Sequence, residues 1–187
     1  MLILGSKSPR RKEILSREGI SFEIRVSNAE ENIIESNPLI YPIKTAKKKA
    51  EEIVINKDEI LLCADTIVYS NNKILGKPTN RFDAYQMIKS IQGSCHQVIT
   101  GVYLKSLTKE KEFSETTYVY VKKMTEKEIN DYIDTTEPYD KAGGYAIQGI
   151  FGKYIDRIVG DYDNVVGLPI TRIKEELKSF EKGYKDE

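Results

Sequence analysis

The stretch Ile60-Leu61-Leu62-Cys63-Ala64-Asp65-Thr66-Ile67-Val68-Tyr69 is an apolar, β-rich run followed by Asn71-Asn72. It predicts a buried strand that turns into a hairpin with Lys73–Leu75. One carboxylate, Asp65, interrupts it. A buried carboxylate is costly unless something satisfies it, and a divalent metal or a lysine would serve. Asp65 is therefore either a chemical group or half of a structural ion pair.

Toward the N-terminus, residues 2–5 read as a short strand, and Ser8-Pro9 as an N-cap with proline at the first helical position. The helix Arg10–Glu18 buries Ile14 and Leu15 and stops at Gly19. Phe22–Val26 alternates like a strand, and a polar loop then carries Glu30 and Glu31. Pro42 or Thr45 opens a lysine-rich helix through Val54, with Ala46, Ala50, Ile53 and Val54 as its buried stripe. Toward the C-terminus, Thr79 is expected to cap a helix running to Ile91 and closed by Gly93. Cys95–Leu104 and Phe113–Val121 read as a long hairpin. Thr125 with Glu128 forms a capping box for a helix to about Asp134. A Pro- and Gly-rich loop covers 137–152, Tyr154–Val159 makes a last strand, Leu168–Phe180 a last helix, and 181–187 a polar tail. Strands and helices intermix throughout, so the expected fold is α/β, or mixed α+β, around a mixed sheet, with 1–187 as one domain.

Composition narrows the chemistry. Basic and acidic residues balance at 29 each, so a general nucleic-acid binder is not expected and any anion site is local. No apolar run approaches the roughly 20 residues that span a bilayer, and Met1–Ser6 is too short for a signal peptide. Cys63 and Cys95 are read as buried free thiols in a reducing compartment, which points to the cytoplasm. The lone His96 lacks partners for a zinc site or a Gly-x-Ser-x-Gly companion, and is read as an ordinary strand residue. An enzyme with this composition works through carboxylates, lysines, arginines and a metal.

Four segments carry such groups. Gly5-Ser6-Lys7-Ser8-Pro9-Arg10-Arg11 joins a strand to a helix N-terminus, where unpaired N–H groups and the dipole attract phosphate. Its serines and arginines add charge-assisted donors, although a well-capped helix with solvated arginines accounts for them too. Ala64-Asp65-Thr66 is the second segment. Lys49, bordering the alanine stripe, and Lys77 in Gly76-Lys77-Pro78 form the third. The fourth is Asp140–Gly149, whose glycines permit close backbone approach and whose Gln148 both donates and accepts, as reading a pyrimidine edge requires.

In this order the segments resemble the Maf-like family of nucleoside triphosphate pyrophosphatases, from Leu2 to about Phe180. The motifs are Ser6-Lys7-Ser8-Pro9-Arg10-Arg11, Glu31, Lys49 in Ala-x-x-Lys-Ala, Ala64-Asp65-Thr66, Gly76-Lys77-Pro78, Lys141-Ala142-Gly143 through Ile147-Gln148-Gly149, and Val166-Gly167-Leu168-Pro169. The resemblance implies a twisted mixed sheet flanked by helices, two lobes around a deep cleft, and often a homodimer. It implies Mg²⁺ or Mn²⁺ as cofactor and a nucleoside triphosphate as partner, with no nucleic acid and no membrane. Under it Ser6, Ser8 and Arg11 grip phosphates, Arg10, Thr66 and Gln148 also bind substrate, and Lys49 and Lys77 neutralise charge. Glu31 and Asp65 handle metal and water, Asp65 being the better general base. Arg10, Thr66 and Gln148 match the dTTP/UTP branch, where the 7-methyl-GTP branch tends to have Trp, Gln and Glu. Two departures stand out: Gly5 for a common alanine and Cys63 for a common glycine. The competing functions are a non-catalytic nucleotide-binding regulator of cell division and septum formation, and the same chemistry on an inosine-type or methylated purine nucleotide.

Overall fold

The computed structural model describes residues 1–28 and 32–181, so Glu30, Glu31 and the tail beyond Glu181 lie outside the described residues. The strands are β1 (Leu2–Leu4), β2 (Phe22–Ile24), β3 (Ile60–Ser70), β4 (Lys73–Leu75), β5 (Cys95–Lys105), β6 (Glu110–Val121) and β7 (Ile155–Val159). The helices are α1 (Pro9–Arg17), α2 (Tyr41–Glu51), α3 (Arg81–Ile91), α4 (Glu126–Ile133), α5 (Tyr162–Val166) and α6 (Ile170–Glu181). Among the described residues the strands form one mixed sheet in the order β2-β1-β3-β5-β6-β7, with β4 paired to β3. β1 runs parallel to β2 and β3, whereas β3–β4 and β6–β7 are antiparallel. The expected α/β class with a mixed sheet and flanking helices is what the chain adopts.

The chain divides into two compact units. The first comprises Met1–Asp65, Thr100–Glu115 and the residues from Gly167 onward. Its apolar core joins Ile3, Leu61, Cys63 and Tyr103 of the strands to Ala46 and Ala50 of α2 and to Ile53 beyond it. The second comprises Thr66–Ile99 and Thr116–Val166. Its core packs Ala84, Ile88 and Ile91 of α3 and Ile129, Tyr132 and Ile133 of α4 with Val68, Val98, Val119 and Val121, and with Tyr145, Phe151 and Tyr154.

Local chemistry explains the boundaries. Asn71 and Asn72 both take positive φ, 49° and 59°, as the tight turn between β3 and β4 demands. Thr125 and Glu128 form the expected capping box, each side chain bonded to the other's backbone N–H.

Several expectations are corrected. Asn80, not Thr79, caps α3: its side chain accepts from Asp83 N, while the Asp83 carboxylate accepts from Thr79 N at 2.9 Å. Val54 is not part of the buried stripe, because α2 ends at Glu51 and Val54 is 79% exposed. Cys95 is exposed and only Cys63 is buried, since strand alternation sends Cys95 to the face opposite buried His96. The loop at 137–152 contains three short 3₁₀ turns, and α5 was not anticipated from its sequence.

Candidate active site

In the first unit, the β1–α1 turn is built around a buried arginine. Ser8 occupies the cap position of α1 with Pro9 behind it, yet its side chain makes no capping bond. Ser6 Oγ accepts from Ser8 N at 3.2 Å and from Arg11 Nη1 at 3.2 Å, which leaves the hydroxyl its proton to donate. Arg11 is only 8% exposed. Its Nη1 donates to the Ala64 carbonyl and its Nε to the Gly167 carbonyl, both at 2.8 Å. One guanidinium thus clamps the β1–α1 turn, β3 and the start of the Gly167-Leu168-Pro169 segment. These bonds make it the fastener of the turn, a role that the sequence did not indicate. Arg10 and Ser8 are half-buried and Lys7 is exposed on the same turn.

The residue after Ala64 is Asp65. Lys49 Nζ, from the last turn of α2, lies 2.8 Å from Asp65 Oδ1, and the two side chains are 18% and 17% exposed. Of the two partners foreseen for this carboxylate, the lysine is present. A pair this shielded is held by more than surface Coulomb attraction, and Asp65 directly follows the residue whose carbonyl Arg11 holds. Lys49 is the cation in contact with this carboxylate, and the Arg11 guanidinium is anchored on the adjoining β1–α1 turn. Glu31 lies outside the described residues. Among the described residues there is no group of three or more His, Cys, Asp or Glu that would hold a metal ion.

In the second unit, Thr66 is half-buried on β3, and Lys77 and Gln148 are exposed. Two motifs far apart in sequence are tied together there, because Gly143 N donates to the Gly76 carbonyl at 3.0 Å. Lys77 is therefore carried by a segment bonded to the Gly143-Gly144 turn. Tyr145 is buried, and its hydroxyl lies 2.6 Å from His96 Nε2. His96 Nδ1 is buried without a partner among the described residues, and burial holds the imidazole down to about 4, so the ring is neutral near pH 7. This agrees with a structural strand histidine.

Two contributors escaped the sequence reading. The Gly167 carbonyl, which receives Arg11, belonged to a recognised motif without an assigned role. Glu137, which holds the Gln148 loop, carried no signal, since a lone glutamate before proline reads as surface. No helix among the described residues is long and apolar enough to cross a membrane.

Comparison with known proteins bears on these motifs together. The family described as "Maf-like protein" matches residues 1–180. A dTTP/UTP pyrophosphatase of Thermoanaerobacter sp. (strain X514) is 44% identical over 184 residues, covering 95% of each chain. One of Bacillus anthracis is 45% identical over 181 residues, covering 96% of this chain and 95% of its own. Among solved structures, the Staphylococcus aureus Ham1 protein superposes with a TM-score of 0.54 at 11% identity, covering 98% of this chain and 99% of its own, a likeness of fold alone.

Proposed function

The chain belongs to the Maf-like family, and on that premise we propose that it hydrolyses dTTP and UTP to the nucleoside monophosphate and pyrophosphate. The proposed role is cleansing of the nucleotide pool in the cytoplasm. The observation that carries the reading is the Lys49–Asp65 pair at 2.8 Å, one residue from the carbonyl that Arg11 grips. Phosphoanhydride hydrolysis asks little covalent chemistry of a protein: an oriented water, cations on the phosphates and a base. Asp65 is the base and orients the water, with Lys49 fixing its carboxylate and spreading positive charge toward the phosphates. Ser6 and Ser8 donate hydroxyl protons to phosphate oxygens, and Arg10 and Arg11 supply charge. Lys77 and Thr66 are assigned to nucleotide binding, and Gln148 to the base.

Asp65 also suits Mg²⁺ or Mn²⁺, hard ions bound by one or two carboxylates and completed by substrate phosphates and water. Glu31 is the second carboxylate in this scheme. When bound, the ion neutralises charge on the phosphoryl oxygens.

The test is pyrophosphate release by purified protein with Mg²⁺ or Mn²⁺, comparing dTTP, UTP, ITP and 7-methyl-GTP. Preference for the first two is expected. A preference for a purine nucleotide would transfer the chemistry to another base, and no release from any of the four would reject the enzyme.

A further inference from the structure

We propose that Glu137 is a positioning residue for base selection, fixing the loop that carries Gln148. This rests on the role assigned above to Gln148. The loop's two ends are closed by buried aromatics: Tyr145 and Phe151 pack with ring centroids 4.9 Å apart, and Tyr145 is held by His96. Between them, residues 146–150 form a short tip with Gln148 at its centre. Glu137 reaches across this tip from thirteen residues upstream, accepting from Ile150 N at 2.7 Å and from Phe151 N at 3.1 Å. Both carboxylate oxygens are thereby committed to the two residues that follow Gly149.

The fit leaves no room for a side chain. A β-carbon on Gly149 would lie 1.7 Å from Glu137 Oε1, so only glycine lets the carboxylate sit there. Glu137 is itself held: its N–H donates to Thr135 Oγ1 at 3.3 Å, and its carbonyl accepts from Lys141 Nζ at 3.1 Å. The device is a rigid bracket on the residues next to Gln148.

Such a bracket matters for this side chain in particular. A glutamine amide presents a donor and an acceptor that exchange places on a half-turn. It suits the O4 and N3–H edge of thymine or uracil in one orientation and the N4-amino edge of cytosine in the other. Discrimination between them therefore depends on how the amide is held, and backbone placement is the first determinant of that.

The experiment compares wild type with Glu137→Gln, Gly149→Ala, Gln148→Ala and the Glu137→Gln/Gln148→Ala double variant. It reads kcat/KM and, with α,β-imido analogues, Kd for dTTP against dCTP. Glu137→Gln replaces one acceptor by a donor facing Phe151 N, and Gly149→Ala displaces the carboxylate. Each is expected to lower the dTTP:dCTP ratio on the order of 10-fold, mainly through KM and Kd, with kcat for dTTP nearly kept. Gln148→Ala should lose the ratio similarly, and the double variant no more than Gln148→Ala alone. The positioning role is overturned, with base reading intact, if Gln148→Ala loses the ratio while Glu137→Gln keeps it. It is overturned too if Glu137→Gln weakens both nucleotides equally, or if the double variant shows the product of both losses. A wild-type ratio in Gln148→Ala instead removes Gln148 as the reader, and Glu137's role with it.

Discussion

Gly5 and Cys63 occupy one space: a β-carbon built on Gly5 would lie 2.3 Å from the Cys63 sulfur and 3.1 Å from Ile53 Cδ1. The two residues are thus complementary: the Cys63 thiol fills the space that a side chain at position 5 would need. The site stands on this contact, because Ser6 follows Gly5, and Ala64 and Asp65 follow Cys63. Gly5→Ala alone is expected to overpack this buried contact and cost about 1–3 kcal/mol, with loss of activity from a displaced Ser6 or Asp65. Gly5→Ala with Cys63→Gly should recover most of the stability. Thermal unfolding of the single and double variants checks this, and additive losses in the double variant would show that the exchange is not compensatory.

Asp65→Asn keeps shape but gives up the charge that faces Lys49. A drop in turnover on the order of 10³-fold or more is expected, with the melting temperature within a few degrees of wild type. Lys49→Gln should lose on the order of 10²-fold in kcat, since it removes a cation and leaves the base in place. Pyrophosphate release with dTTP and saturating Mg²⁺ measures both, and near-wild-type turnover in Asp65→Asn would confine the pair to structure.

Arg11→Lys retains the charge and loses the fork. A single ammonium cannot reproduce donation from Nε to Gly167 together with donation from Nη1 to Ala64 and Ser6, so part of this buried bonding is lost. We expect about 1–3 kcal/mol of destabilisation together with a loss of activity exceeding that of Arg10→Lys, whose residue is only half-buried. Denaturant melts and dTTP turnover decide it. Equal stability of Arg11→Lys and wild type would reduce Arg11 to a charge.

Sequence carried much of this wherever the determinant was local. The β3 run, the Asn71-Asn72 turn and the Thr125 box are short-range chemistry, and each appears where its residues predict it. Asn80 was missed because Thr79 and Asn80 are adjacent capping residues, and only the Asp83 pairing decides between them. Such a cap is worth about 1 kcal/mol, so Asn80→Ala should lower stability by about that amount while Thr79→Ala costs less, as thermal melts will show. The partners of Arg11 lie 53 and 156 residues away, and no periodicity records them. The Lys49–Asp65 pair was half visible, since an unsatisfied strand carboxylate called for a cation without saying which lysine would reach it.

His96 offers a clean pH test because it is the chain's single histidine. Burial lowers its folded-state pKa to about 4 from an ordinary 6.5. Between these values the unfolded chain binds a proton that the folded one refuses, so stability rises with pH; it is complete above about 6.5 and lost progressively toward 4. The carboxylates held low by their cations, such as Glu59 beside Arg25 at about 2, lose their contribution only below the ordinary 4.5. The interval from pH 6.5 to 5 therefore belongs to His96. Over it the linkage amounts to about 1.5 kcal/mol, or roughly 3–6 °C in melting temperature for a chain of this size. His96→Gln, which retains a hydrogen-bonding group for Tyr145, should flatten that slope while leaving the steeper loss below about pH 4.5. Parallel melting curves for variant and wild type across pH 5–6.5 would mean that the imidazole takes up its proton in the folded state and that the core around Tyr145 opens to admit it.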